Sequence, residues 1–172
     1  MSSSEASRRA VLLGASATLG ACTFRPLMHV KSDDGVRSEL EAISITGLDG
    51  RLGQLVRNAL LGDLNPTGVE VPSRYILDVD LQRSAESLGI QLDNVITRFN
   101  LELTARFQLL DAASGEVLYR SRVQRIASYN VSAAPYATLA AEVDAERRLA
   151  REVGDNIGTQ LAVHFARQPT PT

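Results

Sequence analysis

Few residues in this 172-residue chain have a type and spacing suited to chemistry, and the first is its single thiol, Cys22. With no second cysteine there is no intrachain disulfide, so Cys22 is either a site of covalent modification or a lone structural or redox cysteine. The two histidines, His29 and His164, belong to no Cys or carboxylate array at metal-ligand spacing, and neither a metal nor a cofactor is expected. Asp78 and Asp80 have the form of paired carboxylates, but their spacing of two also fits the solvated side of an alternating strand. No Gly-x-Ser-x-Gly elbow, Gly-x-Gly-x-x-Gly loop or Walker sequence occurs, and SLGIQ around Gly89 is not a phosphate loop. No catalytic residue is therefore assigned, and an enzyme is not expected. Five arginines remain: Arg98, Arg106, Arg120, Arg122 and Arg125. Guanidinium groups bind phosphate or carboxylate with two parallel hydrogen bonds, so these are candidate contacts to an anionic ligand or partner, against the plainer reading of a solvated strand face.

The surroundings of Cys22 decide its chemistry. Arg8 and Arg9 precede the mostly apolar run AVLLGASATL at residues 10–19, which is followed by Gly20, Ala21 and Cys22. A basic start, a short apolar stretch and small residues before a cut describe an export signal. That stretch is too short to cross a hydrocarbon core of about 30 Å as a helix. LGAC resembles the lipobox of bacterial lipoproteins, which implies a diacylglycerol thioether on Cys22 and cleavage just before it. Two or three acyl chains supply the multiple signals that stable membrane attachment needs. SRRAVLL also resembles a twin-arginine signal, so two export routes stay open. Thr23 in place of Asp after the acylated residue favours delivery to the outer membrane under the enterobacterial sorting pattern.

Loss of residues 1–21 removes Arg8, Arg9 and Glu5, leaving 151 residues with 16 basic and 19 acidic side chains and a formal charge of −3. That length suits one domain. The charge provides no global attraction to nucleic acid. Residues 22–40 contain Pro26, Gly35 and several charges without sustained periodicity and read as a tether between lipid and folded body, with Phe24 and Leu27 as exceptions. Residues 41–167 read as the domain and 168–172, with two prolines, as a tail.

Within the domain, AISIT at residues 42–46 is a short strand candidate, with Ile43 and Ile45 on one face. Leu52, Leu55, Val56, Ala59 and Leu60 recur at helical spacing over residues 51–64, ended by Asn65-Pro66. Tyr75, Leu77, Val79 and Leu81 then alternate with polar residues. Phe99, Leu101, Leu103, Ala105, Phe107 and Leu109 alternate more cleanly still. After the turn DAASG a returning strand follows over residues 116–129, with Val117, Tyr119, Val123, Ala127 and Tyr129 on one face and Ser121 and Arg125 interrupting it. From residue 137 to about 166 the period is helical through Leu139, Val143, Ala150, Val153, Ile157, Leu161 and Phe165. Gly154 and Gly158 would permit close packing against the sheet. An antiparallel sheet with one apolar face against two amphipathic helices makes a two-layer α+β domain.

These pieces, in this order, resemble the LptE family of lipopolysaccharide-assembly lipoproteins in an alphaproteobacterial form. The resemblance is carried by LGACTFRPL at 19–27, RLGQLVRNALLGDLNP at 51–66, YILDVDL at 75–81, TRFNLELTARFQLLDAASGEVLY at 97–119 and SYNVSAAPYATLAAEVDAERRLAREVGDNI at 128–157. It implies two helices on a mostly antiparallel four-stranded sheet and no enzymatic activity. It also implies lipid anchoring in the outer membrane facing the periplasm, binding of lipopolysaccharide, and partnership as a plug and assembly factor with the large β-barrel protein LptD. The chain departs from the pattern in having no Lys-rich ligand loop, since Lys31 is its only lysine. Placing lipopolysaccharide contacts on Arg120, Arg122 or Arg125 is therefore a hypothesis. The alternatives to a translocon subunit are a general periplasmic lipid- or ligand-binding lipoprotein and an envelope enzyme of unfamiliar type.

Overall fold

The structure, a computed structural model, describes residues 33–90 and 96–168. The expected signal peptide, Cys22, Thr23, His29 and the first part of the tether lie outside the described residues.

Apolar–polar alternation in the middle of the chain underlies three long strands. They are β2 (Tyr75–Ile90), β3 (Ile96–Asp111) and β4 (Val117–Asn130), preceded by the short β1 (Ile43–Thr46). The sheet order is β1-β2-β3-β4, with β1 parallel to β2 and the other pairs antiparallel. Between β1 and β2 the chain passes through helix α2 (Gly50–Leu64), which lets the two strands run parallel. Helix α3 (Pro135–Arg167) follows β4. Its 33 residues make a rod of about 50 Å.

One sheet face and the two helices close a single core. Leu77, Val79, Leu101, Leu103, Ala105, Phe107, Leu109 and Val123 from the sheet meet Val56, Leu60 and Leu64 of α2 and Leu149, Val153, Ile157, Leu161 and Phe165 of α3. Burying a Leu side chain contributes about 1.5–3 kcal/mol, so this face holds the layers together. The expected two-layer α+β domain, mostly antiparallel and four-stranded, is the one observed.

Four local features differ from the sequence reading. The last part of the tether is a helix, α1 (Asp33–Glu41). Its Val36 and Leu40 pack on the core, while the Glu39 carboxylate accepts hydrogen bonds from Arg74 (2.6 Å) and the Tyr75 hydroxyl (2.8 Å). Two apolar residues in nine leave too little periodicity to reveal such a helix. Strand β2 continues well beyond Leu81 because β3 supplies backbone partners as far as Ile90, whatever the side chains do. Val117 leaves the core face: a register shift at Leu109/Leu110 sets it opposite Leu110, and it is 37% exposed. A bulge inserts one residue and so reverses the alternation. Lastly, Gly154 and Gly158 pack against α2 rather than the sheet. A Cβ added at Gly154 would lie 2.7 Å from the Ala59 Cβ, and one at Gly158 would lie 3.2 Å from an Asp63 carboxylate oxygen. Glycines one turn apart let the two helix backbones approach, which no sheet contact here requires.

Candidate functional site

The sheet face turned away from the helices is built by the polar members of each alternation, and strand register decides which of them meet. Across β2, β3 and β4 the rungs read Asp78–Gln108–Arg120, then Asp80–Arg106–Arg122, then Gln82–Thr104–Gln124. Carboxylates therefore line the β2 side and guanidiniums the β4 side. Gln108 links the first rung by donating to Asp78 (3.1 Å) and accepting from Arg120 (3.4 Å). In the second, Arg106 lies 3.7 Å from the Asp80 carboxylate and donates to Gln82 (3.4 Å). Arg122 donates to Gln124 (2.8 Å). Asp78 and Asp80 are thus engaged by their neighbours on β3 and are not a carboxylate pair aimed at a substrate.

The five arginines singled out from the sequence do not form one site. Arg106, Arg120 and Arg122 converge, since Arg106 and Arg122 are directly opposite and Arg120 is the next outward residue on β4. Like charges directly opposite on a sheet repel, and here they stand in the open, where an anion can reach both. Arg98 is exposed far along the same face, opposite Leu88 and Asn130. Arg125 lies on the other face, opposite the buried Leu103; no bulge turns it outward. It is half-buried and donates to the Gln124 carbonyl (2.8 Å).

On the helix side, an ionic clasp escaped the sequence reading. Glu146 of α3 has a side chain only 11% exposed, accepts from Arg51 of α2 (2.7 Å) and forms an ion pair with Arg83 of β2 (3.3 Å). Arg83 also bonds Glu142 (2.5 Å). One carboxylate thereby ties both helices to the sheet. Arg83 follows Leu81 at an inward position of β2, and a charge continuing an apolar alternation was the available signal. His164 of α3 packs tilted against Tyr119 (4.8 Å between ring centres) and edge-on against Phe165 (5.5 Å), and its burial lowers the imidazole pKa. Among the described residues no group of His, Cys, Asp or Glu side chains is arranged to hold a metal ion, and no helix is long and apolar enough to cross a membrane.

Comparison with known proteins gives this geometry a family. A model described as LptE, lipopolysaccharide-assembly, matches residues 38–161. A solved structure from Caulobacter crescentus, described as a lipoprotein, is similar at 27% identity and a TM-score of 0.65, over 78% of this chain and 98% of that one. Two more distant structures share the fold. Rare lipoprotein B from Shewanella oneidensis has 14% identity and a TM-score of 0.56, over 72% of this chain and 94% of its own. The minor lipoprotein from Acinetobacter baumannii has 18% identity and a TM-score of 0.57, over 76% and 93%. No curated protein matches the chain. Taken with the two-layer fold, the match across residues 38–161 makes the chain a member of the LptE family, the non-enzymatic lipopolysaccharide-assembly lipoproteins of the outer membrane.

Proposed function

We propose that the chain is anchored through acylated Cys22 and partners the LptD β-barrel as plug and assembly factor, helping lipopolysaccharide reach the cell surface. The observation that carries this reading is the family match over residues 38–161, which includes the greater part of the folded body. The polar face built on β2, β3 and β4 suits it, because a sheet face rich in guanidinium, carboxylate and amide groups is compatible with a hydrated barrel lumen. In this proposal residues 1–21 are removed on export, and the segment after Cys22 leads into the domain through α1. Arg106, Arg120 and Arg122 are the arginines whose convergence supports contact with acidic sugars or phosphates. Arg98 and Arg125 stand apart from them and serve the reading less well.

Affinity purification of the full-length acylated protein from detergent-extracted membranes is the test. Stoichiometric recovery of a large outer-membrane β-barrel supports the proposal. Recovery as a monomer carrying lipid sinks it in favour of a general ligand-binding lipoprotein. For the arginines, lipopolysaccharide binding should fall at least tenfold in the Arg106→Gln/Arg120→Gln/Arg122→Gln variant with its circular dichroism unchanged. Unaltered binding removes them from the site.

A further inference from the structure

On the layer opposite the polar sheet face, α2 and α3 leave an open groove of about 350 Å³ between them, lined by Leu55, Asn58, Ala59, Arg147 and Arg151. Its floor is apolar: Leu55 and Ala59 are half-buried, and the close approach at Gly154 draws Ala59 against α3. Its rim is cationic. Arg147 and Arg151 are exposed, stand one helical turn apart on α3, and have no carboxylate within ion-pairing distance among the described residues. Three acids on the N-terminal side of the groove are paired elsewhere. Asp144 pairs with Arg148, Glu142 with Arg83, and Glu146 with Arg51 and Arg83. The acids at the Gly158 end are Asp63, the only carboxylate of α2, and Asp155, one turn beyond Arg151 on α3; burial and the Asp155 charge raise the Asp63 pKa. Arg147 and Arg151, like charges at i and i+4, repel one another. Here they flank an apolar floor and the Asn58 amide, an arrangement with donors for an oxyanion above and a surface for methylenes below.

We propose that this groove binds an amphiphile with a phosphate headgroup, the phosphate held by Arg147 and Arg151 with the Asn58 amide as a further donor, and the first methylenes resting on Leu55 and Ala59. The site is small. It accommodates a headgroup and a short stretch of chain, not a set of acyl chains. It is also independent of partnership with a barrel and of the Arg106, Arg120 and Arg122 patch, which lies on the other layer.

The probes are n-hexyl phosphate, inorganic phosphate and n-hexanol, titrated by calorimetry into the full-length chain in a non-ionic detergent. Hexyl phosphate should bind saturably and about tenfold more tightly than inorganic phosphate, as burial of about two methylenes requires. Hexanol should not compete. The Arg147→Gln/Arg151→Gln variant should lose at least tenfold in affinity for hexyl phosphate, whereas Arg148→Gln, whose guanidinium already has Asp144, should bind like the parent. Equal affinity for hexyl and inorganic phosphate would overturn the amphiphile and leave a bare anion site. Absence of saturable binding, or binding indifferent to Arg147 and Arg151, would overturn the proposal outright. Since both substitutions are on exposed positions, a melting temperature matching the parent separates loss of the site from loss of the fold.

Discussion

At the scale of single residues, the charges that matter most to stability are the least exposed. Glu146 is shared by two guanidiniums that come from different elements, so its removal leaves Arg51 and Arg83 without the carboxylate that orients them. Glu146→Ala should destabilise the domain by about 1–3 kcal/mol in urea unfolding, less than a fully buried pair because both arginines reach solvent. Loss of under about 0.5 kcal/mol would mean that the clasp is ornamental. His164 makes a prediction of opposite kind. Its pKa is lowered by burial against Tyr119 and Phe165, so the unfolded chain binds a proton more readily than the folded one. Stability from this group is complete above the ordinary imidazole value of about 6.5 and is lost as pH falls through it toward the folded pKa. The parent should therefore melt lower at pH 5.5 than at pH 7.5 by more than the His164→Phe variant does. That variant keeps an aromatic ring at the position and has no proton to take up, and identical pH dependence in the two would assign the effect to other groups.

At the scale of elements, the α2–α3 contact depends on what Gly154 lacks. Alanine is the better helix former by about 1 kcal/mol, yet a Cβ here would stand 2.7 Å from that of Ala59. Overpacking costs about 1–3 kcal/mol, so Gly154→Ala should be net destabilising, and Ala59→Gly in the same chain should recover part of the loss. A double-mutant cycle measures it, and additive effects would refute the contact. This contact also marks the limit of what the sequence discloses. Periodicity located α2, α3 and the core faces of β3 because each buries one side and wets the other. It says nothing about which neighbour a small residue meets, so a sheet contact and a helix contact look alike for Gly154 and Gly158. Helix α1 escaped for a related reason. Beside Val36 and Leu40 on the core, its order comes from Glu39 reaching Arg74 and Tyr75, over thirty positions along the chain. Replacing Glu39 by Ala should speed amide exchange in α1 while leaving α2 and α3 protected. The arginine site was half legible. Alternation placed Arg106, Arg120 and Arg122 outward and Arg125 inward, but only the register sets Arg106 opposite Arg122 and separates Arg98 from both.

At the scale of the whole molecule, the two layers divide the work: the helix side closes the core, and the sheet side keeps a polar surface that the core does not need. Such a surface has freedom to favour binding over stability, and the β3–β4 pair is where the two can be told apart. Arg106 and Arg122 face each other directly although a carboxylate at position 122 would be the more stable choice. Arg122→Glu should therefore raise stability slightly, by about 0.2–1 kcal/mol, by placing opposite charges across the rung. The same change reverses the charge where an acidic ligand is proposed to dock, and lipopolysaccharide binding should fall by at least tenfold. Both readouts are needed, because a merely solvated face predicts the gain in melting temperature without any loss of binding. If Arg122→Glu stabilises the chain and still binds lipopolysaccharide like the parent, the sheet face is not its ligand surface. If it is both more stable and ligand-deficient, the opposed arginines are retained for what they bind, at the expense of the fold that displays them.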